Sequence, residues 1–340
     1  MHTAEDILKA LDEITGGRVI QSLQEVHKQE HPFVIKKSSG LPGKEIMETP
    51  GLVYGDRNRE VKKLAVTMTM TEGSIELAGA TGVDAIIAHH PIAEAANSGG
   101  VTLKNYLDLY NITVFELHEA FHGLHPGISF LHGHEVYHTD ISYGGLEGNV
   151  LFVGKALPDV TTLEDILNRL DSYMGLEEEN NLLFLEKEIR KNNAVTETSV
   201  VTRGRILRGE PESPVKHIIH IFPHTGFTPD HLRQAAKEHP EADTVIASIS
   251  RVYDGHELIR TAEELNLNFL VGNCHVLEIL ENGLPLAYAL DMLLPDVEVV
   301  VFRERVTSYP ARLVGTPQMM KYAERMASKY LIKKKLAELS

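Results

Sequence analysis

Two adjacent imidazoles at the end of a short apolar run offer the first chemistry in this chain. Asp84-Ala85-Ile86-Ile87-Ala88-His89-His90-Pro91 passes abruptly from apolar residues to two histidines and a proline. Ala85 to Ala88 reads as a buried strand, too short for a core helix and rich in isoleucine. Pro91 has no N–H to extend a ladder and biases His90 toward extended backbone. The imidazoles therefore sit where a strand stops, the edge at which open α/β sheets collect ligands. Neighbouring side chains on extended backbone point to different sides, so each imidazole could serve a different metal ion. An isolated His-His pair would read as a solvated loop. The other histidines change that reading: 18 are present, eight of them from His89 to His138.

A second group follows, His118-Glu119-Ala120-Phe121-His122-Gly123-Leu124-His125-Pro126-Gly127. Its first five residues match the zinc-protease pattern His-Glu-x-x-His, which requires a helix so that both histidines reach one zinc while the glutamate activates water. Ile112 to Leu117 reads as a strand, and Gly123 and Pro126-Gly127 would break a helix at once. A strand-end turn with ligands on its rim is therefore expected. A third group, Gly272-Asn273-Cys274-His275-Val276-Leu277-Glu278, places His275 and Glu278 three apart where a helix should start. Both could then face a strand-end cleft. Carboxylate-bridged dimetal sites use a Glu and a His at this separation, in the opposite order. Cys274 is a rival ligand, although a lone thiol beside a strand more often acts as a small buried apolar group. His125, His132, His134 and His138 read as loop histidines.

The elements that must position these groups alternate. Leu64–Met70, Asp84–Ala88 and Ile112–Leu117 read as strands, with helices over Ser74–Ala80 and Leu103–Leu109. Later, His217–Phe222, Thr244–Ala247 and Phe269–Gly272 read as strands, with helices over Asp230–Lys237 and Glu257–Leu265. Such alternation predicts parallel sheets with right-handed crossovers. The two stretches also resemble each other: Thr81–Ala88 matches Pro240–Ala247 in pattern, and Asn111–Phe115 matches Asn266–Leu270. The expected fold is α/β, with two related Rossmann-like domains flanking a metal-containing cleft. The boundaries drawn are 1–150, a connecting segment 151–213, and 214–340. Helices are expected over Thr3–Ile14 and Thr162–Tyr173. Lys36–Asn58 reads as a long loop, Glu177–Asn181 as an exposed turn and Gly209–Pro214 as a linker. The tail from Gln318 to Leu339 reads as a solvated amphipathic helix with six Lys/Arg between Lys321 and Lys335.

Composition narrows the class. With 340 residues, 43% hydrophobic and 24% charged, the chain can bury a sizeable core. A net charge of −15 disfavours nonspecific nucleic-acid or anionic-membrane binding and suits cation capture. The single cysteine excludes an intrachain disulfide and a Cys-rich zinc site, and it fits a reducing compartment. The start Met1-His2-Thr3-Ala4-Glu5-Asp6 lacks a signal-peptide pattern, and no apolar run approaches the roughly 20 residues of a membrane span. A cytoplasmic protein is expected.

The three histidine groups, together with Gly51-Leu52-Val53-Tyr54-Gly55 ahead of the first strand, resemble those of the Nif-three-like dinuclear metal centre proteins, the GTP cyclohydrolase I type 2 homologues. The likeness covers Gly51 to near Gly127 and Pro214 to Thr307, about half of the chain. It implies two α/β domains around two divalent transition metal ions (zinc, iron, manganese, cobalt or nickel) and a toroidal homohexamer. The family's paired histidines correspond to His89 and His90. Its His-Thr-Asn-x-Asp motif falls on His118–His122, so His122 stands in place of an aspartate. Its C-terminal His-x-x-x-Glu corresponds to His275 and Glu278, one residue short, and Cys274 keeps the family spacing. His138-Thr139-Asp140 is a second match to the aspartate motif, later in the chain and differently spaced. Imidazole in place of carboxylate removes a negative charge and favours zinc, iron, nickel or copper over magnesium or calcium.

The expected ligands are thus His89, His90, His122, His275 and Glu278, with Glu119 or His118 as general base or orienting group. The expected activity is a metal-dependent hydrolase acting on a small molecule. The resemblance suggests a purine or nucleotide type of substrate, although no glycine-rich phosphate loop is present. The alternative is a non-catalytic metal-binding or regulatory scaffold.

Overall fold

The computed structural model describes residues 1–22, 31–38, 45–90, 103–249 and 252–332. Most of its strands form two mixed sheets. The first takes Gly51–Tyr54 (β1), Lys63–Thr67 (β2), Ala85–Ala88 (β3) and Thr113–Glu116 (β4). The second takes His134–Asp140 (β5), Leu151–Ala156 (β6), Arg205–Arg208 (β7), His217–Ile221 (β8), Thr244–Ile249 (β9) and Asn268–Cys274 (β10). The chain then returns to the first sheet with Glu298–Val301 (β11). The orders are β11-β2-β3-β4-β1 and β7-β10-β9-β8-β6-β5.

Each sheet is built on a parallel trio, β2-β3-β4 and β8-β9-β10. These strands read as continuous apolar runs because both faces are covered. Leu64, Val66, Ile87 and Phe115 pack with Ile7, Leu8 and Leu11 of the helix Ala4–Thr15 (α1). The alternate residues Ala65, Ile86 and Val114 pack with Ile75 and Ala78 of Glu72–Thr81 (α2) and Leu107 of Leu103–Tyr110 (α3). In the second sheet Ile218, Ile246 and Leu270 meet Leu163, Ile166 and Leu170 of Leu163–Tyr173 (α4). The opposite face carries Ile219, Val245 and Phe269 against Leu232 and Leu258. The side-chain period of two assigns each residue to its face.

The internal likeness extends to backbone detail. Asp84 and Asp243 hold equivalent posts, their carboxylates accepting from Lys62 and Lys63 N–H in one half and from Lys216 and His217 N–H in the other. Asn111 and Asn266 open the third strand of each trio with φ of 53° and 55°. Asparagine enters this left-handed region more readily than bulkier residues, because its short polar side chain can bond locally.

Three expectations change. Glu177–Asn181 lies inside the helix Leu176–Arg190 (α5), not in a turn. Its three glutamates sit in the first turn, where the helix dipole favours negative charge, and Leu176 and Leu183 are buried. The Lys36–Asn58 loop contains strand: Ile35–Ser38 pairs antiparallel with Glu45–Glu48, and β1 pairs with β4. Third, the sheets cross the drawn boundaries, since β5 precedes residue 150 yet lies in the second sheet, and β11 follows residue 214 yet lies in the first. The compact units are 1–174 with 203–304, and 175–202 with 305–340. In the second unit Thr196–Glu197 pairs with Thr307–Ser308, and Glu186 accepts from Arg305 and from the Tyr309 hydroxyl. Its helix Pro317–Met326 (α6) buries no side chain. The last part of the basic tail, 333–340, lies outside the described residues. Among the described residues no helix is long and apolar enough to cross a membrane.

Candidate metal centre

The strand β3 runs into His89 and His90, whose N–H groups continue the ladder to Thr67 and Met68 carbonyls. Pro91 lies outside the described residues. His89 is buried, and its Nδ1 is 2.8 Å from the Leu117 carbonyl. A carbonyl only accepts, so in the neutral ring Nδ1 carries the proton and Nε2 keeps its lone pair. His90 Nδ1 meets the Thr69 hydroxyl at 2.7 Å, and its Nε2 lies 2.7 Å from His275 Nε2.

Past β4 the chain makes the expected turn. Phe121 and His122 N–H bond to the carbonyls of His118 and Glu119 three residues back, and no helix forms. The zinc-protease reading therefore lacks the helix it needs. Carboxylates hold both turn histidines by Nδ1: His118 by Glu48 at 3.0 Å, and His122 by Glu119 at 2.9 Å. Carboxylates fix metal-ligating imidazoles in this way, leaving Nε2 as the donor. The His118 and His122 ring centroids are 4.8 Å apart, and that of His89 lies 5.1 and 5.6 Å from them.

The third group arrives after β10. A single 3-10 turn, His275–Leu277, brings His275 and Glu278 to the other histidines. One Glu278 oxygen lies 3.3 Å from His89 Nε2 and accepts from Asn282. The other lies 3.0 Å from His275 Nε2 and 3.7 Å from His90 Nε2. Three sets of potential donor atoms each fall within 4.8 Å of one another: His89, His118 and His122; His89, His90 and Glu278; Glu48, His118 and Glu119. His89 belongs to the first two.

Protonation favours lone pairs. Burial pushes the His90 imidazole down, and burial with the neighbouring His122 and His89 holds His118 well below its ordinary value. Burial alone would raise Glu278, but its contacts with His275, His89 and His90 keep it well below the usual carboxylate range. His122 is the exception: burial opposes its charged form, yet Glu119 raises it. Despite these short contacts, the buried His89 Nε2 and Glu278 Oε2 atoms form no well-directed hydrogen bond. Buried polar atoms are rarely left so, and a cation between them would satisfy both. The donor set fits a borderline transition metal.

The structure brings all seven expected site residues together, although His118 enters as a donor beside His89 and His122 as well as a neighbour of Glu119. Glu48, Thr69 and His224 had no signal in local spacing. Glu48 arrives on a strand 70 residues from its histidine. His224 follows β8, its ring 5.5 Å from that of His275, and burial followed by the His275 charge pushes it down to about 4. Cys274 packs in an apolar cluster with Met174 and Leu277, outside the donor sets. Asp140 caps its own loop by accepting from Ser142 N–H. The loop reading of His132 and His134 is corrected: both are fully buried. His134 Nε2 meets His220 Nδ1 at 3.0 Å, and His132 accepts from Asn273 N–H. His138 lies on β5, exposed, and His125 lines a cavity of about 510 Å³ that opens beside the donor groups.

Fold and site define a class: a two-sheet α/β protein in which strand-end histidines and carboxylates form buried groups able to hold metal ions. Residues 34–196 match the family described as Duf34/NIF3 (NGG1p interacting factor 3). No curated protein sequence matches it. Solved structures share the fold at low identity. Reduced HcgD from Methanocaldococcus jannaschii is 18% identical with a TM-score of 0.51, over 83% of this chain and 98% of that one. TTHA1606 from Thermus thermophilus is 15% identical with a TM-score of 0.53, over 91% and 99%. A Bacillus cereus protein related to NIF3 is 11% identical with a TM-score of 0.52, over 91% and 99%.

Proposed function

We propose that this protein is a metal-dependent hydrolase of a small molecule, with His89, His90, His118, His122, His275 and Glu278 as the ligands of two divalent transition metal ions. The observation that carries the reading is the crowding of buried donor atoms at one point: His89 Nε2 and Glu278 Oε2 face neighbouring donor atoms at 3.0–3.7 Å yet form no well-directed hydrogen bond. Bound divalent ions would supply Lewis acidity and a water acidified toward neutral pH. The chain's own part is positioning. Leu117, Thr69, Glu48 and Glu119 fix four imidazoles through Nδ1. Glu119 also borders the cavity, where a carboxylate can accept a proton from water.

A non-catalytic metal-binding scaffold is the second reading. The cavity favours the first, because a storage or structural site needs no apolar chamber beside its ligands. The homohexamer is a proposal carried by the family resemblance alone, and the cytoplasmic location is one supported by the single cysteine. The test is elemental analysis of purified protein beside His89→Ala and His275→Ala, followed by ester, amide and phosphoester screens on the metal-loaded protein. Loss of metal in both variants supports one shared site. Full metal retention in either removes that residue from the ligand set.

A further inference from the structure

The cavity beside the donor groups has two unlike ends. Its polar end carries His90, His118, Glu119, His122, His275 and Glu278. Its other end is the buried cluster Ile128, Val150, Phe152, Phe222 and Ile249, which belongs to neither main core. Phe222 and Phe152 meet edge to face, their centroids 5.6 Å apart at 87°. The plane of Phe222 is fixed from behind by stacking on His220, 5.1 Å away at 13°. His220 is itself anchored to Ser248 at 2.6 Å. The wall is therefore aromatic, with the two phenyl planes nearly perpendicular and Phe222 held by the stacked His220.

Ile249 adds an independent observation. It ends β9 with φ of 62°, a left-handed conformation that a β-branched residue adopts only under strain. Such strain persists where the surroundings over-determine it, and it collects at ligand sites. Here it sets a branched apolar side chain into the cavity lining.

Charge narrows the ligand further. Among the described lining residues there is no lysine or arginine, whereas Glu119, Glu147 and Glu278 are all present. Among the described lining residues no such cation offsets a polyphosphate's charge beside these three carboxylates. We propose that the cavity selects a small molecule with a flat, uncharged aromatic body and a single metal-binding head, the body lying against Phe222, Phe152 and Ile249. A volume of about 510 Å³ suits such a ligand. This inference rests on the metal reading above.

The probes are acetohydroxamate, benzohydroxamate and 4-carboxybenzohydroxamate, which share one head and differ in body. Titration calorimetry on the full chain, with its metal content measured, should give benzohydroxamate at least a tenfold advantage over acetohydroxamate, as expected when several apolar carbons enter a fitted pocket. The distal carboxylate should cancel much of that advantage. Phe222→Ala should reduce it to within about threefold at unchanged metal content. Ile249→Ala is the second variant, read the same way if Phe222→Ala melts below the assay temperature. Equal affinities on metal-loaded protein, or tighter binding of the carboxylated probe, overturn this inference and leave the metal reading standing. Protein that holds no metal overturns both.

Discussion

Glu281 offers a prediction that depends chiefly on burial. It lies three residues past Glu278, fully buried, with one oxygen accepting from Asn273 at 2.7 Å and the other without a partner. Burial first, and then the nearby Glu278 charge, raise its pKa to about 8 against the Asn273 bond, which lowers it. It therefore enters the fold as a neutral acid. Between the unfolded value of 4.5 and about 8 the folded state binds more protons, so stability falls as pH rises through that window. The contribution is fully present below the unfolded value and is lost by the time pH passes the folded one. At about 1.4 kcal/mol per unit, the shift gives a ceiling of roughly 5 kcal/mol. Glu281→Gln keeps the shape and an oxygen for Asn273 while removing the titration. The variant should gain on the parent steadily from pH 5 to pH 8, by about 2 kcal/mol or more. Urea unfolding at each pH unit, with chelator present so that metal binding cannot contribute, measures this gain. A difference that stays flat with pH, or falls as pH rises, refutes a neutral buried Glu281.

Other perturbations are sharper but simpler. His89→Ala removes the donor common to two groups and should abolish metal binding in elemental analysis, whereas exposed His138→Ala should leave it unchanged. Glu119→Gln weakens the hold on His122 Nδ1 and should lower metal affinity by about 10- to 100-fold in a chelator competition assay. Gly272→Ala would drive a Cβ into the His132 ring, and Gly154→Ala would drive one into His134 Nδ1 and the Glu135 backbone. Each should cost about 1–3 kcal/mol or more in denaturant melts, because the facing imidazole is fully buried and cannot withdraw to solvent.

Much of this was legible because local chemistry repeats. The apolar trios, the Asp84 and Asp243 posts and the left-handed Asn111 and Asn266 all lie within short windows, so the doubled unit could be read from the chain. The histidines at strand ends were legible for the same reason. Glu48 was not, because only the pairing of β1 with β4 and of Glu45–Glu48 with Ile35–Ser38 brings that stretch beside His118. His132 and His134 were misread because a polar type outweighed position. His134 opens β5 opposite Ala156 of β6, and its bond to His220 satisfies one of its two buried ring nitrogens. The helix Leu176–Arg190 was missed because three consecutive glutamates look like solvent-exposed loop, whereas at a helix start they are stabilising.

The cavity is also a consequence of strand direction. In a parallel trio all three strands end on the same edge, and this chain builds two such trios. Each of the six strands delivers one lining residue just past, or at, its C-terminal end: Thr69 after β2, His90 after β3 and His118 after β4, then His224 after β8, Ile249 at the end of β9 and His275 after β10. A crevice outside the carboxyl ends of strands is where open α/β sheets bind ligands, and here two such edges line one chamber. The chemistry divides between them. The first edge contributes imidazoles whose Nδ1 atoms are already committed, and the second contributes Glu278, which meets His89, His90 and His275. Neither edge alone holds both the imidazole trio and the carboxylate. The return of β11 to pair with β2 binds the far end of the second half into the first sheet. A change that loosened β11 should disturb metal binding although the strand supplies no donor.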